Sequence, residues 1–182
     1  MADLVVENMV VSAELNQSLD LKEINALFPE TTFDQRDHPV IVFHYQDPSR
    51  VVLMTTNGKL LCTGSKTEED AFAALKDTVD ALKEKDLIKR LTSISPKQES
   101  IIVSKNLNVS IPLTSIQADL SFDQCIYHPS EKPWLEYHQP HYSMLLFSSG
   151  NIICTGKLSM DESKDAFKTI EDTLTSIGCK II

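Results

Sequence analysis

The chain carries one pattern twice. Asn8 to Leu21 reads NMVVSAELNQSLDL, and Ser100 to Leu113 reads SIIVSKNLNVSIPL. NGKLLCTG (Asn57 to Gly64) returns as SGNIICTG (Ser149 to Gly156), and Pro48 returns as Pro140. Each pair is 92 positions apart: 8 to 100, 57 to 149, 48 to 140. Self-similarity at one fixed period across 182 residues means that one supersecondary unit is used twice. The chain is then a tandem pseudo-dimer, and its function is expected on a surface that the copies build together. The boundaries read as a first repeat over 1–93, a joint over 94–99 around Ser95-Pro96-Lys97-Gln98, and a second repeat over 100–182.

Within each repeat the pattern predicts a strand, a short helix, several strands and a long helix. Val5, Val6, Met9, Val10 and Val11 form a β-rich opening, and Leu19, Leu21, Ile24, Leu27 and Phe28 give a short helical spacing stopped by Pro29. Val40–Phe43 and Val51–Met54 read as strands joined by the turn Asp47-Pro48-Ser49. Asn57-Gly58 is a hairpin signal, and Leu60, Leu61 and Cys62 continue the return strand. Thr67 can cap a helix whose apolar stripe is Phe72, Leu75, Val79 and Leu82. In the second copy Ser159 and Glu162 have capping-box spacing, ahead of Phe167, Ile170, Leu174 and Ile177. The expected architecture is a curved antiparallel sheet with amphipathic helices on one face. The other face is left uncovered and carries Val, Leu, Thr and Ser, which marks a binding surface.

Composition is that of a compact soluble protein, 42% hydrophobic and 24% charged. No apolar run reaches membrane-spanning length, and MADLVVENMV lacks a charged n-region and cleavage site, so an intracellular protein with no membrane partner is expected. Cys62 and Cys154 occupy one position of the repeat and read as apolar strand residues rather than disulfide partners. The net charge of −9 argues against broad, non-specific nucleic-acid binding. Much of the acid falls in the two long helical stretches, around Glu68 to Glu84 and Asp161 to Asp172, so a locally neutral or basic face is compatible with it.

These repeats resemble those of the TATA-box-binding protein family over essentially the whole chain. The resemblance rests on ENMVVSAEL, on the blocks DPSRVVLMTTNGKLLCTGSK and QPHYSMLLFSSGNIICTGK, and on YHPSEKPWLEYH, which is similar to the family's stirrup segment. It implies an α+β saddle: two tandem pseudo-symmetric repeats sharing a curved antiparallel sheet with helices on the convex face. It also implies docking of the concave face in an A·T-rich minor groove of double-stranded DNA, with side-chain wedging and bending. Partners would be general transcription initiation factors and the RNA polymerase machinery, in the nucleus of a eukaryote or the cytoplasm of an archaeon.

Carried over residue by residue, the resemblance places Asn8, Val10, Ser12, Leu53, Leu61 and Thr63 in the DNA interface of the first repeat. Ser100, Ile102, Ser104, Leu145, Ile153 and Thr155 take the same role in the second. Asn8 and Ser100 fall on the family's central asparagine pair. The four wedge phenylalanines fall on His38, Thr55, Lys132 and Phe147, so only Phe147 keeps the ring. Basic positions flanking the groove fall on Asp37, His44, Lys59, His138 and Asn151, of which Lys59 is cationic. In the stirrup, His128, Glu131 and Trp134 are the expected partner contacts. These departures define an alternative reading, a divergent paralogue that acts mainly as a protein-interaction module with little DNA affinity of its own.

Cys125, His128, His138 and His141 have spacing that could ligate zinc, but strand side chains alternate between faces and would not converge. No phosphate-binding glycine loop and no nucleophile–base arrangement is present, so no enzyme, no cofactor and no metal is expected.

Overall fold

The computed structural model describes residues 3–89, 93–119 and 124–181. It divides into two units, one made of residues 8–99 and the other of residues 1–7 with 100–182.

In the first of these, β1 (Val5–Glu14, of which Asn8 onward belongs here) is followed by α1 (Leu21–Leu27), β2 (Thr32–Asp34), β3 (Val40–Tyr45), β4 (Arg50–Thr55), β5 (Lys59–Ser65) and α2 (Glu68–Glu84). The strands pair antiparallel in the order β2-β3-β4-β5-β1. Alternation divides each strand cleanly. Val11 and Ala13 of β1, Ile41 and Phe43 of β3, Val52 and Met54 of β4, and Leu60 and Cys62 of β5 are buried, while the residues between them are mostly half exposed. The buried set lies against α2, which contributes Ala71, Ala74, Leu75, Val79 and Leu82. A hydrogen bond from β3 to the helix, between Tyr45 Oη and Thr78 Oγ1 at 2.6 Å, marks the same face.

Both helices begin where side chains can satisfy orphan amides. Asp20 Oδ1 accepts from the backbone N–H groups of Lys22 (2.9 Å) and Glu23 (3.1 Å), and Thr67 Oγ1 accepts from Asp70 N at 3.2 Å. Asn57-Gly58 makes the β4–β5 hairpin, with Gly58 at φ +81°.

The second unit repeats the plan. β6 (Lys97–Asn106, of which Ser100 onward belongs here), α3 (Leu113–Asp119), β7 (Cys125–Ile126), β8 (Trp134–His138), β9 (Tyr142–Phe147), β10 (Asn151–Gly156) and α4 (Met160–Ser176) follow one another, and the strands pair antiparallel in the order β6-β10-β9-β8-β7. Ile101, Val103, Leu135, Tyr137, Met144, Leu146, Ile152 and Cys154 are buried on the helix side, with Ala166, Phe167, Ile170 and Leu174 of α4. Lys105 of β6 forms a largely buried ion pair with Glu171 of α4. Ser159 and Glu162 close the expected capping box.

Lys97 and Gln98, read from sequence as part of a joint, are already strand: β6 starts at Lys97 immediately after Pro96. Burial accounts for the buried thiols, pushing Cys154 up to about 12 and Cys125 to about 11, so they stay protonated and behave as small apolar groups. Among the described residues no helix is long and apolar enough to cross a membrane.

Candidate nucleic-acid interface

Among the described residues, strand alternation leaves each unit with a helix-free sheet face, and register fixes its rows. In the first unit one row runs Ser12, Leu61, Leu53, Val42, Thr32 across successive strands. Beside it Thr63, Val51 and His44 form a second row, and Val40 stands opposite Thr55. Val10, Leu53, Thr55, Lys59, Leu61 and Thr63 are all half exposed there, while Ser12 is nearly covered. These residues of the sequence expectation thus lie on one face. His38 is separate from these rows, exposed in the segment leading into β3.

Several polar groups on this face are already engaged. Asn8 donates from Nδ2 to Thr63 Oγ1 (3.0 Å) and accepts at Oδ1 from Gly64 N (2.8 Å). Ser12 Oγ donates to Glu99 Oε1 at 2.6 Å. Thr55 Oγ1 bonds the side chain of Asn57.

In the second unit the corresponding rows are Ser104, Ile153, Leu145, Glu136, Ile126 and Ile102, Thr155, Ser143, His138. Ser100, Ile102, Ser104, Leu145, Phe147 and Ile153 are half exposed and Thr155 is exposed. Ser104 Oγ donates to Glu7 Oε1 at 2.6 Å, the repeat-equivalent of the Ser12–Glu99 bond. Phe147 stands opposite Trp134, with ring centroids 5.8 Å apart and planes tilted by 50°.

Trp134 is therefore the first residue of β8 on the open face, half buried against Phe147, and lies outside the preceding loop. His128, Glu131 and Lys132 are exposed in that loop.

The sequence reading missed Glu136. Its carboxylate collects three donors: Lys132 Nζ at 2.6 Å, Trp134 Nε1 at 3.1 Å and, when protonated, His138 Nε2 at 3.5 Å. Lys132 Nζ also lies 5.9 Å from the centroid of the Trp134 ring. Hydrogen bonding from Lys132, then from Trp134, holds the Glu136 carboxyl below its ordinary range. The signal was present in sequence, because Trp134, Glu136 and His138 alternate and must share a face. The first-repeat counterpart of Glu136 in this row is Val42, so the charge belongs to one copy only.

The possible zinc ligands stand apart. Cys125 is buried opposite Tyr137, whereas His138 is exposed and bonds Ser143 Oγ at 3.0 Å. Among the described residues no group of three or more His, Cys, Asp or Glu side chains is arranged to hold a metal ion.

The sequence profile of the family described as transcription factor TFIID, or TATA-binding protein, matches residues 3–85 and again 95–177. The chain is 32% identical to TATA-box-binding protein B of Halobacterium salinarum over 98% of its length and 97% of that protein. It is 30% identical to the TATA-box-binding protein of Archaeoglobus fulgidus, with 95% of each covered. The solved structure of Methanococcus jannaschii TBP superposes with a TM-score of 0.85 at 27% identity, covering 96% of this chain and 99% of that one. The expected α+β fold with two tandem repeats is therefore the fold of the chain, and the family is one of non-enzymatic DNA-binding transcription factors. Two profile matches at the repeat spacing, together with relatives aligned end to end, establish that the chain belongs to the TATA-binding protein family.

Proposed function

We propose that the helix-free sheet faces dock in the minor groove of A·T-rich double-stranded DNA and that the chain acts as a transcription initiation factor. The observation that carries this reading is the composition and register of those faces. Rows of Val, Leu, Ile, Thr and Ser stand half exposed on strands whose opposite side chains are fully buried. A sheet of small apolar and hydroxyl side chains suits the floor of a widened minor groove, where A·T pairs offer only acceptors and little steric obstruction. Phe147 and Trp134 supply an apolar step at one edge, able to enter an opened base step. The exposed loop bearing His128, Glu131 and Lys132 and the acidic helices are the surfaces offered to initiation factors and the polymerase machinery.

A second reading has its own support. His38 and Thr55 stand at two wedge positions, Lys132 at a third, and Glu136 brings a carboxylate onto the open face. Fewer rings and an added negative charge favour a protein-binding paralogue with weak DNA affinity.

Fluorescence anisotropy with dye-labelled A·T-rich and G·C-rich duplexes at two salt concentrations separates the two. Salt-dependent binding that prefers the A·T-rich duplex supports groove docking. Equal, negligible binding to both at low salt would leave the protein-interaction reading in its place.

A further inference from the structure

On the reading that the open face meets DNA, we infer that Glu136 is a built-in restraint on that binding. Its carboxylate occupies Lys132 and lies beside His138, so that the lysine of this edge faces an internal anion in place of backbone phosphate. The geometry is specific. Lys132 Nζ sits 2.6 Å from Oε1, which also accepts from Trp134 Nε1 at 3.1 Å, and His138 Nε2 lies 3.5 Å from Oε2. His138 is turned by its second ring nitrogen, which bonds Ser143 Oγ at 3.0 Å.

The row containing Glu136 is otherwise uncharged: Ser104, Ile153, Leu145 and Ile126. In the other repeat the same place holds Val42, with Leu53 and Thr32 beside it. The acid therefore serves no need of the sheet that the repeat does not meet with valine. It adds one negative charge where a polyanion would approach and removes one positive charge from contact with it. Both changes lower the number of phosphates neutralised, and each lost phosphate contact weakens binding most at low salt. The Lys132 side chain is 45% exposed and Glu136 18%, so the lysine reaches solvent while the carboxylate that holds it is set into the face. Trp134 gains from the same carboxylate a fixed indole orientation against Phe147.

The test uses the full chain with Glu136→Gln, and with Glu136→Val as the residue type of the other repeat. Binding to a dye-labelled A·T-rich duplex is followed by anisotropy across a salt series. The expected result is roughly tenfold tighter binding at low salt and a plot of log K against log salt steeper by about one for each cation released. Adding Lys132→Ala to Glu136→Gln should cancel most of the gain. Glu84→Gln, an equal charge change at the exposed end of α2, should leave the slope unaltered.

A Glu136→Gln protein that binds no more tightly than wild type overturns the inference while groove docking stands. So does a gain that Glu84→Gln reproduces or that survives loss of Lys132. If neither wild type nor either Glu136 variant binds duplex at low salt, docking and restraint both fall. Binding seen only after Glu136 is replaced supports the restraint, with wild type then the weakly DNA-binding protein of the second reading. Thermal unfolding of each variant establishes that the titrations compare folded chains, and the slope is a readout that simple loss of packing would not steepen.

Discussion

Gly64 and Gly156 hold the same position in the two repeats for different physical reasons. Gly64 has φ +90°, a left-handed conformation that glycine adopts without penalty. Gly156 lacks such a φ, but a Cβ there would lie 2.3 Å from the carbonyl oxygen of His141 and 2.6 Å from Tyr142 Cα. Neither obstacle is the tip of a flexible side chain, so β9 itself would have to move. Gly156→Ala is therefore expected to destabilise the protein by about 2–3 kcal/mol, and Gly64→Ala, whose Cβ would meet Ser49 O at 3.0 Å, by about 1–2 kcal/mol. Urea denaturation midpoints measure both; a Gly156→Ala midpoint equal to wild type would refute the crowding argument. The repeated Thr-Gly was plain in sequence, but the reason for each glycine was not, because close approach between strands leaves no local mark. Glu136 is the opposite case: its partners Lys132, Trp134 and His138 lie within four residues of it along the chain, and alternation put Trp134 and His138 on its face.

At the scale of an element, α4 is held at its start by a reciprocal pair. Ser159 Oγ accepts from Glu162 N at 3.2 Å, and Glu162 Oε2 accepts from Ser159 N at 2.7 Å. Ser159→Ala should cost about 1 kcal/mol in thermal or urea unfolding. The hydrogen bonds from Ser159 hold the Glu162 carboxyl below its ordinary value of 4.5. A depressed folded-state value means that the ionised form is favoured by folding. Its contribution is complete above the unfolded carboxylate range and is lost as pH falls through the folded value. Glu162→Gln should accordingly flatten the fall in stability between about pH 5 and pH 3, relative to wild type. An unchanged pH profile of the unfolding midpoint would exclude that contribution. Both long helices were legible because caps and apolar stripes are local. The short strands β2 and β7 were not, because three and two residues carry too little alternation to recognise.

At the scale of the whole molecule, two copies of one unit have been made unequal at matching places. Val40 faces Thr55 in the first repeat, and Trp134 faces Phe147 in the second. If the open faces dock on DNA, distortion belongs to the end served by the aromatic pair. Phe147→Ala should then reduce bending well beyond Thr55→Ala, read as energy transfer between dyes on the two duplex ends. Equal and small effects would count against wedging by Phe147. The overall charge of −9 makes any such binding depend on local arrangement rather than on bulk attraction.

By itself the sequence determined the duplication, the longer strands and the long helices, their caps, and the family. Each of these is written in spacing along the chain, where neighbours in sequence are neighbours in the element. Tertiary structure alone decided which side chains meet across strands: Ser12 with Glu99, Ser104 with Glu7, and Trp134 with Phe147. Those meetings depend on register, including the shift between Met9 and Val11 in β1, and a one-residue slip turns every side chain of a strand to the other face.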